Sequence, residues 1–234
     1  MFFDQLDKHV PDPFFSNKYI FVDKSDGGLP SDYKVIYYDT AKKYRDQFLS
    51  GIQHVKEEFC IYISEDYILY ENIRSDLIQN YRTVLEENRN LSFVRFMKGG
   101  LGDVDFPPYR HYPKLHQMHH SFPYFYTNQA AIWRTRDLEK IHMHGPNLHI
   151  ANKDWENSFE YQATQTCKEL DIRGVFCYHG ESKRGQYHYD CDVFPHISTA
   201  LIKGKWNIHE YQKELLPLLT QYNIEAMLRG VNEC

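Results

Sequence analysis

Four short apolar runs constrain this chain most: Lys18-Tyr-Ile-Phe-Val-Asp23, Lys34-Val-Ile-Tyr-Tyr-Asp39, Cys60-Ile-Tyr-Ile-Ser64 and Leu91-Ser-Phe-Val-Arg-Phe96. Each has the length of a strand, and none alternates strictly between polar and apolar residues. Strands of that kind are covered on both faces, as in a largely parallel sheet packed between helices. The segments between them carry a helical period. Beyond Thr40, a capping residue, Tyr44, Phe48, Ile52 and Val55 recur at helical spacing, and Ile73, Leu77, Tyr81 and Leu85 recur every four residues. Strand–helix alternation predicts an α/β fold. At 234 residues the chain suits one domain, and 42% hydrophobic against 25% charged residues supports a packed core rather than disorder.

The second half reads differently. From Gly99 to Pro123 the chain is rich in Gly, Pro, His and Tyr and predicts a long ordered loop. Regular structure is expected from Tyr124 to Trp133, then a short helix from Thr135 to about His142. A longer helix is expected from about Asn152 to Leu170, with Trp155, Phe159, Ala163 and Cys167 on one face. A strand, Gly174-Val-Phe-Cys-Tyr178, follows, then a polar loop. The sequence LIKGKWN reads as a turn, and Pro217 should kink or break the last helix.

A net charge of −5 without a long basic run argues against nucleic acid as a partner. No stretch reaches the roughly 20 apolar residues that span a bilayer. The N-terminus, MFFDQLDKHV, is amphipathic and lacks the continuous apolar segment of a signal peptide. Five cysteines, odd in number and without CxxC spacing, predict reduced thiols and a cytoplasmic setting. Two histidine groups, His116-Gln-Met-His119-His120 and His142-Met-His144, match no zinc signature, and a solvated loop is the expected home of both.

Three constellations carry chemistry. Ser64-Glu65-Asp66 lies at the carboxyl end of a strand, where ligands bind in open α/β sheets. Strand alternation puts Ser64 and Asp66 on one side and Glu65 on the other. A carboxylate there is either a hard ligand for a divalent cation or a cap on the next turn. Glu156 and Glu160 are four apart on the expected helix, facing outward opposite Trp155 and Phe159. They read as a general base or as a solvated acidic face. The loop from His179 to His188 carries Lys183 and Arg184, which either close over an anion or decorate an exposed hairpin.

The ordered segments YISEDYIL, NQAAIWRTRDLEKI, DWENSFE and TALIKGKWN resemble those of microbial glycosyltransferase-like proteins with the GT-A fold, associated with surface-polysaccharide synthesis. The resemblance runs from about Lys18 onward. It implies a GT-A-like (Rossmann-like), mostly parallel sheet flanked by helices, spanning residues 1–234 as one domain. Residues 1–98 form the donor-nucleotide side and residues 99–234 the acceptor side. The chain opens on FFDQLDKHV, which matches the helix after the fold's first strand, so that N-terminal strand is expected to be lacking. The implied activity is transfer of a sugar from a nucleotide-diphosphate sugar to a glycan or polysaccharide hydroxyl, with Mn²⁺ or Mg²⁺ as cofactor. Peripheral membrane association is compatible with that role.

Carried onto this sequence, Asp66 takes the metal and diphosphate side with Ser64 and Glu65 beside it, and Lys183 and Arg184 assist the diphosphate. Glu156 or Glu160 is the acid near the acceptor. His188 or His179 is a late metal ligand. Tyr67, Tyr109, Tyr112 and Trp133 are candidates to stack on sugar or base. The family's Asp-x-Asp is reduced here by Ser64, which points to weak metal binding. The alternative is a catalytically impaired GT-A-like protein that works as a binding partner in polysaccharide assembly.

Overall fold

The computed structural model describes residues 1–11, 13–24, 28–99, 106–146, 158–184 and 188–231. The amphipathic N-terminus forms α1 (Phe2–His9). The first two apolar runs form β1 (Lys18–Val22) and β2 (Tyr33–Tyr37), paired parallel in a sheet of their own. Next come α2 (Tyr44–Ile52), β3 (Phe59–Tyr62), β4 (Ile68–Leu69), α3 (Ser75–Glu87) and β5 (Phe93–Arg95). The expected long loop holds β6 (Pro108–Tyr109) and β7 (Tyr112–Gln117), and β8 (Ala131–Arg134) leads directly into α4 (Thr135–His144). The chain continues through α5 (Phe159–Glu169), β9 (Gly174–Cys177), β10 (Lys183–Arg184), β11 (His188–Tyr189) and β12 (His196–Ile197). It ends with β13 (Leu201–Ile202), β14 (Lys205–Trp206), α6 (Ile208–Gln221) and α7 (Ala226–Arg229).

The main sheet has six strands in the order β3-β8-β5-β9-β7-β6. It is mixed, which corrects the mostly parallel expectation. β8 runs antiparallel between β3 and β5, only β5 and β9 pair in parallel, and β7 returns antiparallel on β9. Apolar continuity reports that a strand is covered on both faces. It does not report direction, so nothing in the entirely buried β8 marks it as antiparallel to β3 and β5. The strand β7 escaped the period-2 reading because Pro and His interrupt its pattern. Among its described side chains only Leu115 is deeply buried, where it pairs with Cys177 of β9.

Helices α2, α4 and α5 pack on one another in a core cluster with Phe48, Leu138, Phe159 and Cys167. Helix α3 lies in a second cluster with Ile78, Leu85, Val94 and Val175. The C-terminal region has its own apolar cluster around Trp206 and Leu215. The LIKGKWN turn is a hairpin of β13 and β14, with Lys203 and Gly204 both at positive φ, as a tight two-residue connection requires. Helix α6 runs through Pro217 without a break there; its one non-helical residue is Tyr211.

β3 corrects a second expectation. Its four residues are only half-buried, whereas β5, β8 and β9 are fully buried. The reason is pairing: among the described residues β3 has one ladder partner, β8, and β1 has one, β2. Both strands line a cavity of about 1230 Å³, along residues 18–23 and 57–65. Strand edges without partners carry backbone groups that only water or another chain can satisfy. Among the described residues no helix is long and apolar enough to cross a membrane.

Candidate functional site

The site grows from the end of β3. The strand stops at Tyr62, and the Tyr67 amide donates to the Ser64 carbonyl at 3.0 Å, closing residues 64–67 as a turn. Strand alternation therefore does not govern Ser64 and Asp66. Asp66 is half-buried and Glu65 is exposed. Burial, reinforced by the adjacent Glu65 charge, pushes the Asp66 carboxyl up to about 6. The Ser64 side chain stands beside the half-buried Tyr62 phenol, both on the wall of the large cavity. Tyr67 is buried, with its ring 5.1 Å from that of His196 on β12.

Glu160 arrives from the first turn of α5, which Ser158 caps by accepting the Tyr161 amide at 3.2 Å. Its side chain does not face outward as expected. Oε1 accepts the Asn128 backbone N–H at 2.8 Å, which turns the carboxylate toward the protein body. Burial raises its pKa, against the pull of that N–H and of the Arg95 charge. Arg95, the last residue of β5, is buried; its Nη2 donates to the carbonyls of Tyr124 and Phe125 at 2.8 and 2.6 Å, while Nη1 has no partner among the described residues. Desolvation lowers the guanidinium to about 10. Tyr67 feels the charges of both Glu160 and Asp66, and burial holds its phenol well above the ordinary range. Tyr44, Tyr62 and Glu160 line the large cavity together with Asn128 and Ser64. The result is an acid-bearing recess walled by phenols, able to accept hydrogen bonds from hydroxyls and to stack on an apolar ring face.

The structure thus brings Ser64, Glu65, Asp66 and Glu160 to one region. Glu156, with Asp154 and Trp155, lies outside the described residues. Lys183, Arg184 and His188 lie on the β10–β11 hairpin. Arg184 donates to Asp190 at 2.7 Å, to Glu214 at 2.6 Å and to the Glu210 carbonyl at 2.9 Å. Its guanidinium ties the hairpin to α6. Lys183 is exposed. His188 has both ring nitrogens engaged, Nδ1 with Gln129 at 3.2 Å and Nε2 with Thr199 at 2.9 Å. Burial lowers its pKa.

Trp133 is buried and stacked on Phe93 at 4.1 Å, so it belongs to the core. Tyr109 is buried with its hydroxyl on Asn88, and Tyr112 bonds Glu87, so both brace α3. His142, expected in a solvated loop, is buried on α4 between Phe48 and Phe159, with ring centroids at 3.7 and 4.7 Å. Arg95 and Asn128 were missed by sequence reasoning. A lone arginine at the end of the LSFVRF run was the available signal.

A divalent ion shared with a diphosphate needs one or two protein carboxylates, with phosphate oxygens and water completing the shell. Asp66 and the adjacent Glu65 meet that minimum, and a cation would offset the desolvation and repulsion that raise Asp66. Among the described residues no third His, Cys or carboxylate donor closes on them.

No protein-family profile matches the chain, and no curated protein sequence does. Among solved structures, a UDP-glucose pyrophosphorylase complexed with UDP-glucose is similar over 68% of this chain, with a TM-score of 0.38 and 8% identity. The chain covers 59% of that enzyme's length. What fold and site define together is an α/β protein with a mixed six-stranded sheet and an acidic, phenol-walled cleft at the end of β3.

Proposed function

We propose that the protein is a glycosyltransferase that moves a sugar from a nucleotide-diphosphate sugar to a glycan or polysaccharide hydroxyl. One observation carries the reading: Glu160, its Oε1 held by the Asn128 backbone N–H at 2.8 Å, lines the same large cavity as Ser64 and Glu65 at the end of β3. The motif order set out above supplies the donor class.

In this reading Glu160 takes the proton of the acceptor hydroxyl. A raised pKa suits that role, because a base is most effective near the working pH. The Asn128 amide fixes its orientation. Asp66, with Glu65, holds the donor diphosphate side, where a bound Mn²⁺ or Mg²⁺ would neutralise the charge gathering on the leaving group. Tyr44 and Tyr62 offer ring edges and hydroxyls to the sugar. The test is purified protein incubated with a panel of nucleotide-diphosphate sugars and Mn²⁺, read as donor hydrolysis and thermal shift. Glu160→Gln should lower hydrolysis at least 100-fold while keeping the thermal shift. No hydrolysis and no shift with any donor would end the proposal.

The second reading, an impaired relative acting as a binding partner, is favoured by the Arg184 guanidinium, committed to Asp190 and Glu214 instead of a ligand. It expects Asp66→Asn to leave glycan production in cells intact, and loss of glycan in that variant counts against it.

A further inference from the structure

We propose that Cys177, His179 and Glu181 form a site for one divalent transition metal of the Zn²⁺ class, with a coordination position left open for water. The site uses none of the residues given a role under the proposed sugar transfer; His179, one of the two histidines the resemblance offered as a late metal ligand, stands here with Cys177 and Glu181 and not beside Asp66. β9 lies three strands from β3 in the sheet, about 14 Å at ordinary strand spacing.

Local geometry assembles it. Cys177 is the last residue of β9 and is fully buried. The chain then bends at Gly180, whose φ of +94° strains any residue with a side chain. That bend folds Glu181 back so that its Oε2 accepts the His179 amide at 2.6 Å. One ligand atom from each of Cys177, His179 and Glu181 lies within 4.8 Å of the others.

Two further observations point to a cation. The second carboxylate oxygen, Glu181 Oε1, is buried without a hydrogen-bond partner. A carboxylate oxygen taken out of water without a partner is unfavourable, and a bound ion would satisfy it. The Tyr81 hydroxyl of α3 sits 3.0 Å from Cys177 Sγ and 3.4 Å from His179 Nε2. A hydroxyl there can donate to a metal-bound thiolate, the kind of outer partner that orients ligands. The site is half-open rather than sealed, since His179 and Glu181 are both half-buried.

The donor set selects the metal. Sulfur and imidazole nitrogen exclude Mg²⁺ and Ca²⁺, which take oxygen shells, and favour Zn²⁺ or Co²⁺. Three protein ligands leave a fourth tetrahedral position, as in sites that bind water or substrate rather than in closed structural ones. On binding, the Cys177 thiol loses its proton to solvent and the thiolate takes the metal.

The test is titration of metal-stripped full-length protein with Co²⁺, read as the near-ultraviolet thiolate-to-Co²⁺ charge-transfer band. We expect saturation at one Co²⁺ per chain and displacement by Zn²⁺. Cys177→Ser should abolish the band, whereas Asp66→Asn should leave it unchanged. Glu181→Gln, at a half-buried position that tolerates a neutral isostere, should weaken Co²⁺ binding at least tenfold and decides the matter should Cys177→Ser not fold. Absence of the band in the unsubstituted protein overturns the proposal. So does its survival in Cys177→Ser, or unchanged affinity in Glu181→Gln. The readout is independent of donor hydrolysis, so the sugar-transfer reading can fail without it.

Discussion

Replacing Asp66 by Asn should stabilise the protein at pH 8, and the gain should vanish in acid. In the folded chain burial and Glu65 place the Asp66 carboxyl at about 6, against 3.8 for an ordinary Asp. The folded state therefore holds this proton more tightly than the unfolded state does. Stability from the protonated group is complete below about pH 4 and is lost as pH rises through about 6. Each tenfold in proton affinity is about 1.4 kcal/mol, so the gap is at most about 3 kcal/mol. Asp66 is partly exposed, and solvent screening reduces that to about 1–2 kcal/mol. Asn mimics the neutral acid and removes the cost of ionisation. For a chain of this size the gain is about 2–8 °C in Tm at pH 8. Urea unfolding of both proteins at pH 4, 6 and 8 measures it. The advantage of Asp66→Asn should be near zero at pH 4 and full at pH 8. An equal advantage at every pH, or a loss of stability at pH 8, would refute the view of Asp66 as a desolvated carboxylate beside a like charge. A site that retains a destabilising charge is the pattern expected of one kept for binding.

Two further outcomes test the packing. His142 is held neutral in its aromatic stack: burial, helped by the Arg45 charge, lowers it to about 3, so the stability it carries is full above about pH 6.5 and drains as pH falls toward 3. His142→Phe should keep the stack and remove about 2 kcal/mol of the loss between pH 7 and pH 5, measured by urea midpoints at the two values. Gly174→Ala should destabilise by about 1–3 kcal/mol, because the added methyl would stand 2.1 Å from Cζ of Phe93 on the neighbouring strand; an unchanged urea midpoint would show that the ring yields freely.

The sequence by itself determined local matters. Helical spacing located α2 and α3 because the 3.6-residue period of side-chain burial is written in consecutive residues. The α4 helix was legible too, and the turn in LIKGKWN, whose Lys203-Gly204 connection has positive φ at both residues, was written in its own short sequence. The apolar runs located β1, β2, β3, β5 and β9. Of the site, the acid-bearing turn after β3 could be picked out because carboxylates following an apolar run stand out in a one-dimensional pattern, and Glu160 because it stands four residues from Glu156 on a helical period.

Only the tertiary structure decided which strands pair and how groups are buried. β8 enters antiparallel between β3 and β5, a choice made by contacts between residues about 40 and 70 positions apart along the chain. That insertion leaves β3 half-buried beside the large cavity. Glu160 turned inward because an amide at Asn128, far away in sequence, meets its carboxylate. His142 became a core residue because α2 and α5 supply the rings around it. Burial is a property of neighbours from elsewhere in the chain, and ionisation follows burial. The ionisation of Asp66 and Arg95 was therefore fixed by packing, while the residues themselves were visible from the start.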